Sequence, residues 1–203
     1  MADSVYIPGL AVRGSETASH SALVRITHWI SALSFLGLLI SGFGILLAHP
    51  RFYWGETGGV GTPSLFDLPL PFMLGGPSGW GRYLHFQSAW LCVLNGSVYV
   101  ISGFANRYFQ KGMAFSYNPV QRIAYLAVIF VLFPMMIWTG LAMSPAVTSV
   151  FPALVTVLGG HQTARTIHFF VAIALVLFVL VHIVMVWRAG FRERVGSMIT
   201  GQI

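Results

Sequence analysis

The chain has 203 residues, of which 56% are hydrophobic and only 8% charged, against about a quarter charged in soluble domains. With a mean hydropathy of +0.78, an ordinary soluble globule is excluded. The lone cysteine, Cys92, rules out a disulfide framework or a thiolate metal site. The net charge of +6 is spread over short connections and makes no case for nucleic acid.

Residues 1–21 are polar and read as an N-terminal arm, with no cleavable signal visible. Four apolar runs follow at 23–47, 84–104, 120–143 and 167–187. Each is long enough to cross a hydrocarbon core of about 30 Å as a helix. None alternates as a barrel strand does, and lipid admits only helices or closed barrels. The expected fold is an all-α integral membrane protein, a bundle of four transmembrane helices. Its core domain covers residues 22–190, with helices at about 22–48, 82–105, 118–144 and 164–188.

The long connection at 49–81, rich in Gly, Pro and aromatics, predicts a surface lying on the membrane interface. Basic residues set the orientation. Arg13, Arg25, Arg107, Lys111, Arg122, Arg188, Arg192 and Arg194 fall on one side; Arg51, Arg82 and Arg165 fall on the other. The positive-inside rule then puts both termini, including a tail at 191–203, in the cytoplasm of a bacterial inner membrane.

Histidines sit where hydrocarbon makes them expensive. The first helix carries His28 near its cytoplasmic end, the second His85 near its outer end, and the fourth both His168 and His182. The fourth-helix pair is fourteen residues apart, an advance of about 21 Å with the two side chains within about 40° of one direction. Two histidines therefore lie at each depth: His28 with His182 inside, His85 with His168 outside. Two imidazoles facing across a bundle are what a six-coordinate haem iron needs axially. Interhelical hydrogen bonding or a proton relay is the competing reading, and it suits one histidine better than four.

Arg25, Arg82 and Arg165 each precede one of these histidines by three, in "RITH", "RYLH" and "RTIH". That offset places a guanidinium one turn closer to water on the same face, in position for a haem propionate. Snorkelling interfacial arginines are the alternative. Gly42 lies fourteen residues after His28 and so faces the outer pair, where a missing side chain leaves room for a macrocycle. Generic small-residue packing with Ser41 and Gly44 competes. Gly37 points about half a turn away from His28. His20, His49 and His161 lie outside the runs and read as solvated, although His49 or His161 has the position to replace an outer ligand. Met135, Met136 and Met185 read as lipid-facing or core residues.

Taken together, "RITHW" on the first helix, a histidine at the head of the second and two histidines fourteen apart on the fourth resemble the bacterial four-helix dihaem cytochromes b. These are the membrane subunits of nickel–iron hydrogenase, formate dehydrogenase and thiosulfate reductase, with superoxide oxidase as a relative. The resemblance covers roughly residues 24–188. It implies two haem b groups, the inner ligated from helices 1 and 4 and the outer from helices 2 and 4. "HPRFYWGE" and "YNPVQRIAY" look most like the thiosulfate-reductase-type branch, which implies an exported, molybdopterin-type redox partner. The resemblance also implies a quinone near Asn118 and Gln121 at the start of the third helix, beside Tyr117; Asn118 followed by Pro119 equally makes a good helix cap. The expected function is electron transfer across the membrane between the quinone pool and a periplasmic oxidoreductase, the loop at 49–81 serving as docking surface. A self-contained superoxide:quinone oxidoreductase and a non-redox anchor are the alternatives.

Overall fold

The structure is a computed structural model that describes residues 21–59, 61–69, 79–106 and 119–201, the side chains of 119–122 excepted. Among the described residues four spans are long and apolar enough to cross a membrane, the expected number. The first is α1 (Ala22–Ala48), opened by Ser21, whose hydroxyl accepts the Val24 N–H, and closed at His49 ahead of Pro50. The second is α2 (Gly79–Ala105). The third is composite: α3 (Pro119–Ala127), one wider π turn (Val128–Leu132) and α4 (Phe133–Ala142). Pro134 explains the interruption, since it has no N–H to give and its ring presses on the carbonyl four residues back. The π turn, in which Phe133 N–H reaches Val128 O, makes room for it.

Two short helices, α5 (Pro145–Thr148) and α6 (Ala153–Thr156), lead to the fourth span, α7 (His161–Arg188). A last helix, α8 (Phe191–Thr200), lies between left-handed Gly190 and Gly201. The tail expected at 191–203 is therefore largely a helix, bound back onto α1: Trp29 Nε1 donates to Met198 O at 3.1 Å and Arg25 Nη1 to Ile199 O at 3.2 Å. The bundle thus has a terminal face, where α1 begins and α7 ends, and a loop face opposite.

Antiparallel α1 and α2 form one tightly packed hairpin; α4 and α7 form the other. Along the first seam the buried residues repeat every seven positions, Thr27, Ser34 and Ser41 on α1 and Gly81, Ser88 and Asn95 on α2. A seven-residue repeat keeps a seam facing its partner, and small residues let backbones approach where lipid provides no hydrophobic drive between helices. Asn95 secures the seam by donating to Thr27 O at 2.7 Å and to Ser31 Oγ at 2.8 Å. In the second hairpin, Ala142, Val155 and Ala164 form a buried cluster, and Trp138 Nε1 ties α4 to Leu154 O at 3.0 Å. Large apolar side chains such as Leu33, Ile40, Leu94 and Leu177 point outward, as a lipid solvent requires.

A side chain on Gly37 would run into Ser88 Oγ, with Ser88 Cβ at 3.3 Å, whereas one on Gly96 would meet open space. Gly37→Leu should therefore destabilise the bundle by about 1–3 kcal/mol, the usual range for overpacking, while Gly96→Leu should not. Thermal unfolding of the two variants in detergent checks this.

Candidate functional site

The four intramembrane histidines meet in two pairs between the hairpins. At the terminal face, His28 of α1 and His182 of α7 have ring centres 6.3 Å apart, their planes inclined by 57°. At the loop face, His85 of α2 and His168 of α7 stand 6.2 Å apart at 59°. A transition-metal–imidazole bond is about 2 Å long, which puts the centres of two rings on one ion roughly 6 Å apart. Both pairs stand at that spacing. Among the described residues there is no group of three or more His, Cys, Asp or Glu able to hold a bare ion. Two opposed nitrogens and nothing else suit a metal whose other four positions come from a macrocycle.

The loop-face pair is the more elaborately held. His85 Nδ1 is hydrogen-bonded to Ser41 Oγ at 3.1 Å, and His168 Nδ1 to Thr139 Oγ1 at 2.9 Å; both hydroxyl residues are fully buried. Each is followed by a glycine against the same ring. A Cβ on Gly42 would lie 3.7 Å from His85 Cε1, and one on Gly140 would lie 3.6 Å from His168 Cε1. Gly42 thus lies beside the His85–His168 pair, as its spacing from His28 implied. Thr139 and Gly140 escaped sequence reasoning because the third span has no histidine from which to count. The hydroxyl–glycine dipeptide they share with Ser41 and Gly42 recurs elsewhere, as at Ser102–Gly103 on α2, and does not single them out.

At the terminal face His182 is stacked by Phe178, with ring centres 6.2 Å apart and planes within 18°, and Phe178 meets Tyr125 edge-on at 5.7 Å. These residues line an apolar cavity with Ala124, Val181 and Met185. Tyr125 and Phe178 were not anticipated. Asn118 and Tyr117 lie outside the described residues, as does the side chain of Gln121.

The arginines divide. Arg25 reaches α8, with its Nε buried and unpartnered. Arg82 is exposed. Arg165 turns to the connection after α1, donating to Arg51 O at 3.1 Å and to His49 O, with its guanidinium 4.9 Å over the ring of Phe52. The described part of that connection is paired and packed. Strands β1 (Arg51–Phe52) and β2 (Phe66–Asp67) pair antiparallel, and Phe52 stacks on Phe66 at 4.8 Å and packs at a tilt against Phe169 at 4.4 Å.

Further along, Gly55 O accepts the Gln162 and Thr163 N–H groups, and a Glu56 carboxylate oxygen accepts that of His161. These are orphan donors at the head of α7 that a helix start must satisfy elsewhere. Gly160, at φ 119°, leaves space that a Cβ would take from the Gly55 backbone. Residues 51–56 therefore cap α7 directly above His168. His161 is committed to Glu56 at 3.6 Å. His49 terminates α1, and burial, then Arg165 and Arg82, hold its pKa below the ordinary imidazole value.

Arg165→Ala should release this cap. Charged hydrogen bonds contribute about 1.5–3 kcal/mol each, so amide exchange across residues 51–68 should accelerate at least about tenfold while the α1–α2 seam is unchanged. Hydrogen–deuterium exchange checks both halves.

Four apolar helices with imidazoles opposed across the bundle define the class of membrane helix-bundle haem proteins. The family model of prokaryotic cytochrome b561 matches residues 19–201, and the chain belongs to that family. It is accordingly a multi-pass protein of the bacterial inner membrane, a b-type haem subunit for electron transfer. It is similar to a protein of Azospira oryzae (strain ATCC BAA-33 / DSM 13638 / PS) named "Putative protein-methionine-sulfoxide reductase subunit YedZ1". The two are 31% identical over 198 residues, covering 83% of this chain and 90% of that one. No solved structure matches.

Proposed function

We propose that the protein binds two haem b groups and carries electrons across the membrane between the quinone pool and a periplasmic oxidoreductase. The observation that carries this reading is the pair of imidazole couples, 6.3 and 6.2 Å across, at opposite ends of one bundle. His28 and His182 hold the haem at the terminal face; His85 and His168 hold the haem at the loop face. Bound haem iron supplies one-electron exchange, and the protein supplies ligands, orientation and exclusion of water. Gly42 leaves clearance for the loop-face macrocycle. Arg82, exposed one turn before His85, is free to meet a propionate. Arg25 and Arg165 contact propionates only alongside their bonds to backbone carbonyls.

Both termini face the cytoplasm in this reading, so the terminal-face site is the one that exchanges electrons with quinone. Asn118 and Gln121 contact the quinone, and the apolar cavity at Tyr125, Phe178 and His182 offers a place for a flat lipophilic ring beside a ligand. The loop face docks the partner. The relative's name supports a reductase partner acting on oxidised sulfur, and the loop motifs that resemble the thiosulfate-reductase type point to the same broad chemistry. A self-contained superoxide oxidase would want free cations on the outer face. Arg51 is instead paired with Asp67 at 3.4 Å and Arg165 is held by carbonyls, which leaves Arg82 as the exposed one of the three and favours the electron-transfer subunit.

The wild-type chain should carry two haems. His28→Ala should remove the terminal-face haem alone, and His85→Ala or Gly42→Leu the loop-face haem alone. Pyridine haemochrome stoichiometry with redox titration reads this directly, and one haem in fully loaded protein would overturn it. Asn118→Leu or Gln121→Leu should slow haem reoxidation by quinone about tenfold, the scale of one lost hydrogen bond, with both haems retained. Stopped-flow reoxidation measures it.

A further inference from the structure

The two loop-face histidines share a device that sets them apart from a simple ligand pair. A serine or threonine hydroxyl has one proton to donate. Ser41 Oγ lies 2.6 Å from Gly37 O, one turn back on α1, with Leu38 O at 3.2 Å. Thr139 Oγ1 lies 2.7 Å from Met135 O, one turn back on α4, with Met136 O at 3.2 Å. In both cases the shortest contact is to a helix carbonyl, which accepts but cannot donate. The single hydroxyl proton is therefore committed to the helix backbone, and toward its histidine each hydroxyl presents only a lone pair. Across the 3.1 and 2.9 Å contacts it is the imidazole that must donate, from Nδ1–H, with the Leu38 and Met136 carbonyls as further acceptors beside the same rings. That leaves Nε2 of both rings without a proton, the state a metal ligand needs.

We propose that Ser41 and Thr139 are positioning residues that lock His85 and His168 in the Nδ1–H tautomer and raise their donor strength through Nδ1–H···O bonds. The inference rests on the reading that His85 and His168 hold a haem, and it goes beyond that reading in assigning the control of that haem's ferric state to two hydroxyls. The arrangement occurs twice, on different helices and in the same local form: a fully buried hydroxyl residue, back-bonded to its own helix, followed by a glycine beside the ring edge. Such back-bonding is common for hydroxyls on helices, as at Thr27 and Ser34; Ser41 and Thr139 differ in that each also meets a histidine Nδ1. His182 is held differently, by the stacked Phe178 ring, which constrains orientation but accepts no proton in this way. A ligand whose far nitrogen donates to an acceptor is a stronger base toward iron and favours the ferric state. Ser41 and Thr139 therefore lower the potential of the loop-face haem and leave the terminal-face haem alone.

The test uses the full-length, haem-loaded chain in detergent, with Ser41→Ala, Thr139→Val and Thr139→Ser. Midpoint potentials come from redox titration and ligand fields from the low-spin ferric electron paramagnetic resonance signals; His85→Ala identifies the loop-face component. Ser41→Ala and Thr139→Val should each move the loop-face potential upward and shift its ferric signal, and Thr139→Ser should return both to wild-type values. The terminal-face haem, unmoved, reports that the bundle is folded. Three results would overturn the proposal: no movement in either variant, equal movement of both haems, or a Thr139→Ser protein that behaves like Thr139→Val. If Thr139→Val fails to assemble, Ser41→Ala decides by the same criteria. A wild-type chain with no loop-face haem signal would instead refute the two-haem reading itself, so the two failures are distinguishable.

Discussion

An imidazole placed among lipid-facing helices has two ring nitrogens that water cannot reach, and each must find a partner or impose a penalty of kilocalories. Much of this bundle answers that constraint. At the loop face the inner nitrogens of His85 and His168 are taken by Ser41 and Thr139. The rings then stand opposed across a gap of metal-binding dimension. Gly42 and Gly140 lie against the same two rings, where an added Cβ would come into contact with each ring edge. At the terminal face the opposed pair recurs, with the Phe178 ring as the support of His182.

Holding the imidazoles apart requires that the helices carrying them not collapse together, and the packing is arranged accordingly. Close backbone approach is concentrated within each hairpin, α1 on α2 and α4 on α7. The seven-residue repeat of Thr, Ser, Gly and Asn draws α1 and α2 together through small residues and the Asn95 hydrogen bonds. Between the hairpins stand the histidine pairs, and α7 contributes to both. A single helix with ligands fourteen residues apart thereby fixes the depth of the two sites relative to each other.

The head of α7 needs support of its own, since a displaced first turn would carry His168 with it. Residues 51–56 provide it by accepting the helix's orphan N–H groups, while Arg165 grips the same segment from below. The connection expected to be a docking surface is therefore also part of the scaffold. A partner approaching the loop face would meet a structured, aromatic-backed segment rather than a free loop. On the other side, α8 returns to α1 through Trp29 and Arg25 and closes the terminal face.

Membrane class, the number of spans and the depth of each histidine were legible in the sequence alone. Hydropathy, helix length and the 3.6-residue period are local properties, readable one segment at a time. The offset between His168 and His182 set their shared face, and the same arithmetic aimed Gly42 at the outer pair. What no segment contains is its neighbour. Thr139 and Gly140 acquire meaning only beside His168. The π turn before Pro134 also inserts a residue that rotates everything beyond it by about 100°, so counting along that helix from its start would have misplaced them. Arg165 matched its expected position three residues before a histidine, yet the fold gives it backbone carbonyls 114 and 116 residues away in sequence as partners. The tail's charges suggested only a cytoplasmic end, while α8 is held by contacts with α1 from the opposite end of the chain. Periodicity decides which way a side chain points; only the packed bundle decides what it meets, because hydrogen-bond partners and steric clearance belong to pairs of elements rather than to either one.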